Sequence, residues 1–254
     1  MRLVFSGLEN PIELMPGRCS TVEVENQTLF TRIAQSMLSG EGRYATEPYS
    51  IWDGEDELRP KDTLLMVDNP LSLPWDDRAY MGSIVKRIER EYLEDEDLRR
   101  TVEELQGSLA TRLMSLGLGM NTDLGFSLEW DFKRYLKFMG FGVSYQGSKS
   151  FLDNLLNFLS LAFDSGDKRV IAFVNLKTFL SKNDFETFLE QVSFLETRVL
   201  LLENKQDANQ YEYEQKRAID LDLSRAREPF QSDSNVLCSG EFAPMVLVQC
   251  RSDW

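Results

Sequence analysis

The segment RVIAFVNLKTFLSKNDFETFLEQVSFLETRVLLLE, residues 169–203, holds two continuous apolar runs on either side of one amphipathic stretch. Arg169 to Val174 and Arg198 to Glu203 lack polar alternation, the pattern of strands buried on both faces. Between them, Ser181-x-x-Asp184 is a capping box that opens a helix of apolar periodicity. Strand, helix and strand with short links make a βαβ unit, which requires a parallel pair. A third such run, Thr63 to Asp68, ends in an acid, and Ser150-x-x-Asp153 opens another helix. The predicted fold class is α/β, with a mostly parallel sheet.

Before this block the pattern changes twice. The first 25 residues read as short strands (Leu3–Phe5, Ile12–Leu14, Thr21–Glu25) separated by Asn10-Pro11 and Pro16-Gly17 turns. Asn26 caps a predicted helix with Phe30, Ile33 and Met37 inward, and Ser39 to Pro60 reads as irregular. From Ala79 to Leu116, apolar residues recur every three or four positions. Met81, Ile84, Val85, Ile88 and Tyr92 share one face; Leu98, Val102, Leu105, Leu109, Leu113 and Leu116 share another. Residues 89–104 hold eight acids and three bases, read as a solvated helix face. Ser127 is placed as the cap of a further helix carrying Leu128, Phe132, Tyr135 and Met139. The expected organisation is an α/β head over 1–77 and 141–254, with a helical leg inserted at 78–140. Residues 205–235 are polar and receive no assignment, and Met245–Val248 is read as a final strand.

Composition narrows the chemistry. Of the 254 residues, 28 are Lys or Arg and 42 are Asp or Glu, a net charge of −14, and histidine is absent. No histidine means no Ser-His-Asp triad, no Cys-His dyad and no His-ligated zinc. Three cysteines without a CxxC pair argue against a disulfide framework and for a reducing cytoplasm. No signal-like segment or 18-residue apolar run occurs, so neither secretion nor membrane insertion is expected. The acidic balance opposes coating of nucleic acid over the whole surface, while leaving room for a local basic face.

Few motifs carry chemistry. Gly142-VSYQ-Gly147-Ser148-Lys149-Ser150 approaches a phosphate-cradling P-loop, but Ser148 is inserted before the lysine. A kinase or NTPase using Lys149 and Asp68 is therefore one reading. Asp68 and Glu203, each closing a strand run, read as a cap or turn acid more readily than as a catalytic one. Basic residues group at Lys86-Arg87 with Arg90, Arg99-Arg100, Lys133-Arg134 with Lys137, Lys149, and Lys168-Arg169. Such groups are ordinarily salt-bridged surface; read functionally, they form a track for DNA phosphates. Asp123, Glu129 and Asp131, near a glycine-rich loop, are hard oxygen ligands suited to calcium, without the EF-hand spacing.

The order of these segments resembles the Csn2 family, the adaptation proteins of type II-A CRISPR systems. The resemblance rests on Asn10-Pro11-Ile12-Glu13-Leu14, Leu64–Asp68 leading into long charged helices, and Lys137–Ser144. Its most specific part is Val170–Asp184, running on to Val199–Glu203, while Tyr211-Glu-Tyr-Glu-Gln215 followed by Asp220 resembles the family's C-terminal motif. It implies a head similar to P-loop kinases without a working nucleotide site, and an inserted helical leg. It further implies a homotetrameric ring around double-stranded DNA, binding at DNA ends, and calcium held by acids near the leg. No enzymatic activity is implied. The implied partners are the integrase proteins and the effector nuclease of the same system, acting in spacer acquisition. On this reading Lys133, Arg134, Lys137 and Lys149 are the DNA-binding candidates, and Asp123, Glu129 and Asp131 the calcium candidates. The remaining alternative is an acidic protein-interaction scaffold without DNA contact.

Overall fold

The computed structural model describes residues 1–8, 10–117, 122, 131–144 and 146–219. Its centre is a five-stranded parallel sheet in the order β6-β7-β8-β3-β9. The strands are β3 (Arg18–Glu23), β6 (Leu64–Val67), β7 (Val170–Val174), β8 (Arg198–Glu203) and β9 (Glu214–Ala218). The apolar runs expected as buried strands are β6, β7 and β8. Ile171 pairs with Val199 and Phe173 with Leu201, so the βαβ reading holds in register. Its helix is α7 (Lys182–Phe194), opened by the Ser181–Asp184 capping box. Helix α6 (Phe151–Ser165) is capped by Ser150. Leu155 and Phe158 of α6 and Phe188 and Val192 of α7 join Phe173 and Leu201 in one buried cluster.

A second, antiparallel sheet has the order β2-β1-β4-β5: β1 (Arg2–Phe5), β2 (Ile12–Glu13), β4 (Tyr49–Asp53) and β5 (Asp56–Leu58). Two of its strands lie inside the stretch expected to be irregular. Tyr49 and Ile51 are buried while Asp53, Asp56 and Glu57 are exposed, and Gly54 turns the hairpin at φ +62°. The charges that suggested a loop belong to a solvent-facing edge. Helix α1 (Gln27–Ser39) forms as expected, with Asn26 accepting from the Leu29 N–H, and the short α2 (Pro60–Thr63) leads into β6.

Helices α3 (Arg78–Glu94) and α4 (Glu96–Gly117) fill the long periodic stretch and meet at Asp95, which accepts from the Leu98 N–H at 2.8 Å. The start of α3 is fastened to the parallel sheet. Asp77 caps it through the Ala79 and Tyr80 N–H groups and also accepts from Arg169 at 2.6 Å. The Arg169 guanidinium lies over the ring of the fully buried Tyr80. By contrast, no residue of α4 is buried. Helix α5 (Phe132–Phe138) begins later than expected, with Asp131 as its cap, and Ser127 and Leu128 lie outside the described residues. The expected strand at Met245–Val248 lies outside them as well.

Candidate functional site

The densest group of charges sits at the carboxyl ends of β3 and β8. The Thr21-Val-Glu23 alternation does not mark a half-exposed strand. Strand β3 lies between β8 and β9, and its polar side chains turn into a buried ionic network. Lys177 Nζ meets Glu214 Oε1 at 2.6 Å as a close ion pair, with Asp207 at 3.5 Å and Glu23 at 3.7 Å. Lys216 Nζ lies 3.4–3.8 Å from the same three acids and donates to the Asp207 carbonyl at 2.7 Å. The Thr21 hydroxyl donates to Glu214, whose side chain is fully buried. Burial alone would lower the Lys177 ammonium, but the bond to Glu214 and the charges of Glu214, Asp207 and Glu23 raise it overall. The cation is thus locked in its charged form, bracketed by the Phe185 and Tyr211 rings. Tyr211–Gln215 therefore carries the start of β9 and a structural ion pair, a role hidden in sequence because its partner lies on a distant turn.

Glu203, at the end of β8, accepts the Lys177 backbone N–H at 3.0 Å and is 3% exposed. It is a turn-capping acid, as its position suggested. Burial pushes its carboxyl from 4.5 up to about 7, against the lowering effect of Lys177. A raised carboxyl favours the fold fully below about pH 4.5, and that contribution is lost as pH rises through about 7. Glu203→Gln keeps an acceptor and removes the titration. Its stability relative to the parent is expected to rise by about 2.5 kcal/mol between pH 5 and pH 8 in denaturant unfolding. A difference that stays flat across this range would contradict the assignment.

Three of the four predicted DNA-binding residues lie together on α5, and the fourth, Lys149, does not. Lys133, Arg134 and Lys137 are exposed on this seven-residue helix, which carries no acid. Lys133 pairs with Glu89 of α3 at 2.9 Å, and Arg134 with Asp131 at 3.2 Å. Lys137 makes no ion pair among the described residues. With Lys133 and Arg78 it lines a mostly apolar cleft of about 600 Å³ between α3 and the α5 end. Lys149 is exposed in the turn before α6 and does not line that cleft. Much of the other basic character is spent in ion pairs: Arg87 with Glu91, Arg100 with Asp97, and Arg169 with Asp77 and Asp167.

Of the calcium candidates, Asp123 and Glu129 lie outside the described residues. Asp131 offers its oxygens to the Arg134 N–H and guanidinium. One carboxylate so engaged does not make a site for an ion that takes six to eight oxygens. Among the described residues no cluster of three acids or cysteines could hold a metal.

The P-loop-like segment follows α5 and precedes α6, so the strand that must lead into a phosphate cradle is not there. Its turn is held internally: the Lys149 N–H donates to the Gln146 carbonyl, and Asn157 donates to the Gln146 side chain at 3.1 Å. Asp68 is exposed beyond β6. In this topology the first strand-to-helix link of the parallel sheet is Val24-Glu25-Asn26, between β3 and α1, and it holds neither glycine nor lysine.

The family model for the CRISPR-associated protein Cas_Csn2 matches residues 45–223. The chain belongs to the Csn2 family. The matched span runs from β4 through β9 and includes α3–α5 and Lys177, Asp207, Glu214 and Lys216 of the network, while Thr21 and Glu23 lie before it. Among solved structures, the Csn2 chain is similar to the crystal structure of Stu0660 of Streptococcus thermophilus. That match has 15% identity and a TM-score of 0.47, covering 80% of this chain and 68% of that one. It is also similar to a nucleotide-free ATP-binding cassette from an ABC transporter, at 10% identity and a TM-score of 0.38, covering 81% and 82%. No curated protein matches the chain. No described helix is long and apolar enough to cross a membrane.

Proposed function

We propose that this protein is a non-catalytic, ring-forming component of CRISPR adaptation that binds the ends of double-stranded DNA. Membership of the Csn2 family carries the reading. Three features of the chain support it. The β3–α1 link, Val24-Glu25-Asn26, puts an acid where a phosphate cradle would need glycines and a lysine, as suits a P-loop-kinase-like head whose nucleotide site has decayed. On α4, Leu105, Leu109, Leu113 and Leu116 are 43–70% exposed, an apolar stripe suited to contacts between copies in a four-membered ring. The acid-free α5 offers cations on a chain of net charge −14, so DNA would be met on one face only. Double-stranded DNA, the other copies, and the integrases and effector nuclease of the same system are the partners, in the cytoplasm. Calcium is expected at Asp123, Glu129 and Asp131, and no step depends on it.

Reversing Lys133, Arg134 and Lys137 to glutamate together is expected to weaken duplex binding at low salt by about 100-fold, because released counterions drive phosphate contacts. The native mass should stay unchanged. Unaltered affinity in a gel shift would remove these three residues from the interface.

A further inference from the structure

A cleft of about 750 Å³ opens between α3 and α5, within the ~300–1,000 Å³ of small-ligand sites. Its walls are unusually aromatic. Tyr92 and Phe132 stack face to face with centroids 4.4 Å apart, and Tyr135 and Phe138 continue the lining. Phe138 is 84% exposed at the mouth of this lining. The Tyr92 side chain is 95% buried, its hydroxyl lacks a hydrogen-bond partner among the described residues, and such a group is costly to leave unpaired. Arg134, 89% exposed, stands at the rim, and Glu89 and Asp131 supply acceptors.

We infer that this cleft stacks an unpaired nucleobase at the end of a DNA duplex, an inference that rests on the DNA-end reading. The chemistry favours a base over an apolar peptide. Aromatic faces stack any base, the acceptors suit exocyclic amino groups, and the cations of α5 flank the cleft where an anionic backbone would run. Bases inside a duplex are stacked and paired, so only an end or an overhang offers one without unpairing it. The cleft would thus supply a preference for ends that phosphate contacts alone cannot.

The test compares the full chain with Phe138→Ala and Phe138→Trp, on blunt duplex and on duplex with short single-stranded overhangs, by fluorescence anisotropy. Phe138→Ala is expected to lose about tenfold in affinity for overhang duplex, with blunt duplex little changed and the native mass intact. Phe138→Trp, which keeps an aromatic face, should retain overhang binding. If Phe138→Ala binds overhangs like the parent, or loses both duplexes equally, the base-stacking inference is wrong while DNA binding stands. If the parent binds neither duplex, the DNA-end reading itself fails.

Discussion

Lys177→Met is expected to lower the thermal midpoint by about 10 °C at fixed protein concentration. The substitution keeps the apolar stem and removes the charge. It leaves Glu214, fully buried, and Glu23, 5% exposed, facing Asp207 with Lys216 as the one cation still in contact with them among the described residues. Lys216 compensates in part only, because it is already turned to the Asp207 and Asn209 carbonyls. Breaking a buried pair from one side costs ~3–5 kcal/mol, and each kcal/mol moves the midpoint of a chain this size by ~2–4 °C. Adding Glu214→Gln removes the stranded carboxylate, so the double variant should be less destabilised than the two single effects added together. A midpoint within about 2 °C of the parent would mean that the network carries no stability.

Leu105→Glu with Leu109→Glu is expected to dissolve the assembly. The two leucines are 67% and 58% exposed, and α4 contributes nothing to the buried core. The fold of a single chain should therefore survive, with an unchanged far-ultraviolet spectrum. Burying one leucine is worth ~1.5–3 kcal/mol, and in a closed ring each copy repeats the loss. Light scattering coupled to size exclusion should fall from four chains of 29.3 kDa, ~117 kDa, toward fewer copies. Duplex binding should fall at least tenfold with it, because an open assembly cannot encircle DNA. An unchanged mass would take α4 out of the subunit contact.

What could be read from sequence followed the range of the interactions involved. Strands β6, β7 and β8 were legible because burial on both faces leaves an uninterrupted apolar run. The Ser150 and Ser181 caps were legible because the donor lies three residues away. Strand β9, Glu-Gln-Lys-Arg-Ala, was not, since it lies at a sheet edge and its buried acid is neutralised by Lys177 from another part of the chain. The β4–β5 hairpin was hidden by the charges of its exposed face. The P-loop-like segment shows the opposite failure, a local match in a place where no strand precedes it. For the candidate site, α5 gathers Lys133, Arg134 and Lys137 as their spacing suggests. That Lys133 would pair with Glu89 was invisible, because the approach of α3 to α5 is set by packing. The aromatic cleft went unread for the same reason, since Tyr92 and Phe132 meet only in the fold.

The central claim is tested most directly by a gel shift comparing linear with covalently closed circular double-stranded DNA of the same sequence, with calcium and with EDTA. Binding is expected to the linear form alone, in calcium, as a closed ring threads over an end. Equal binding to both forms would contradict encirclement and leave an open basic face, and no binding to either would remove DNA from the account altogether.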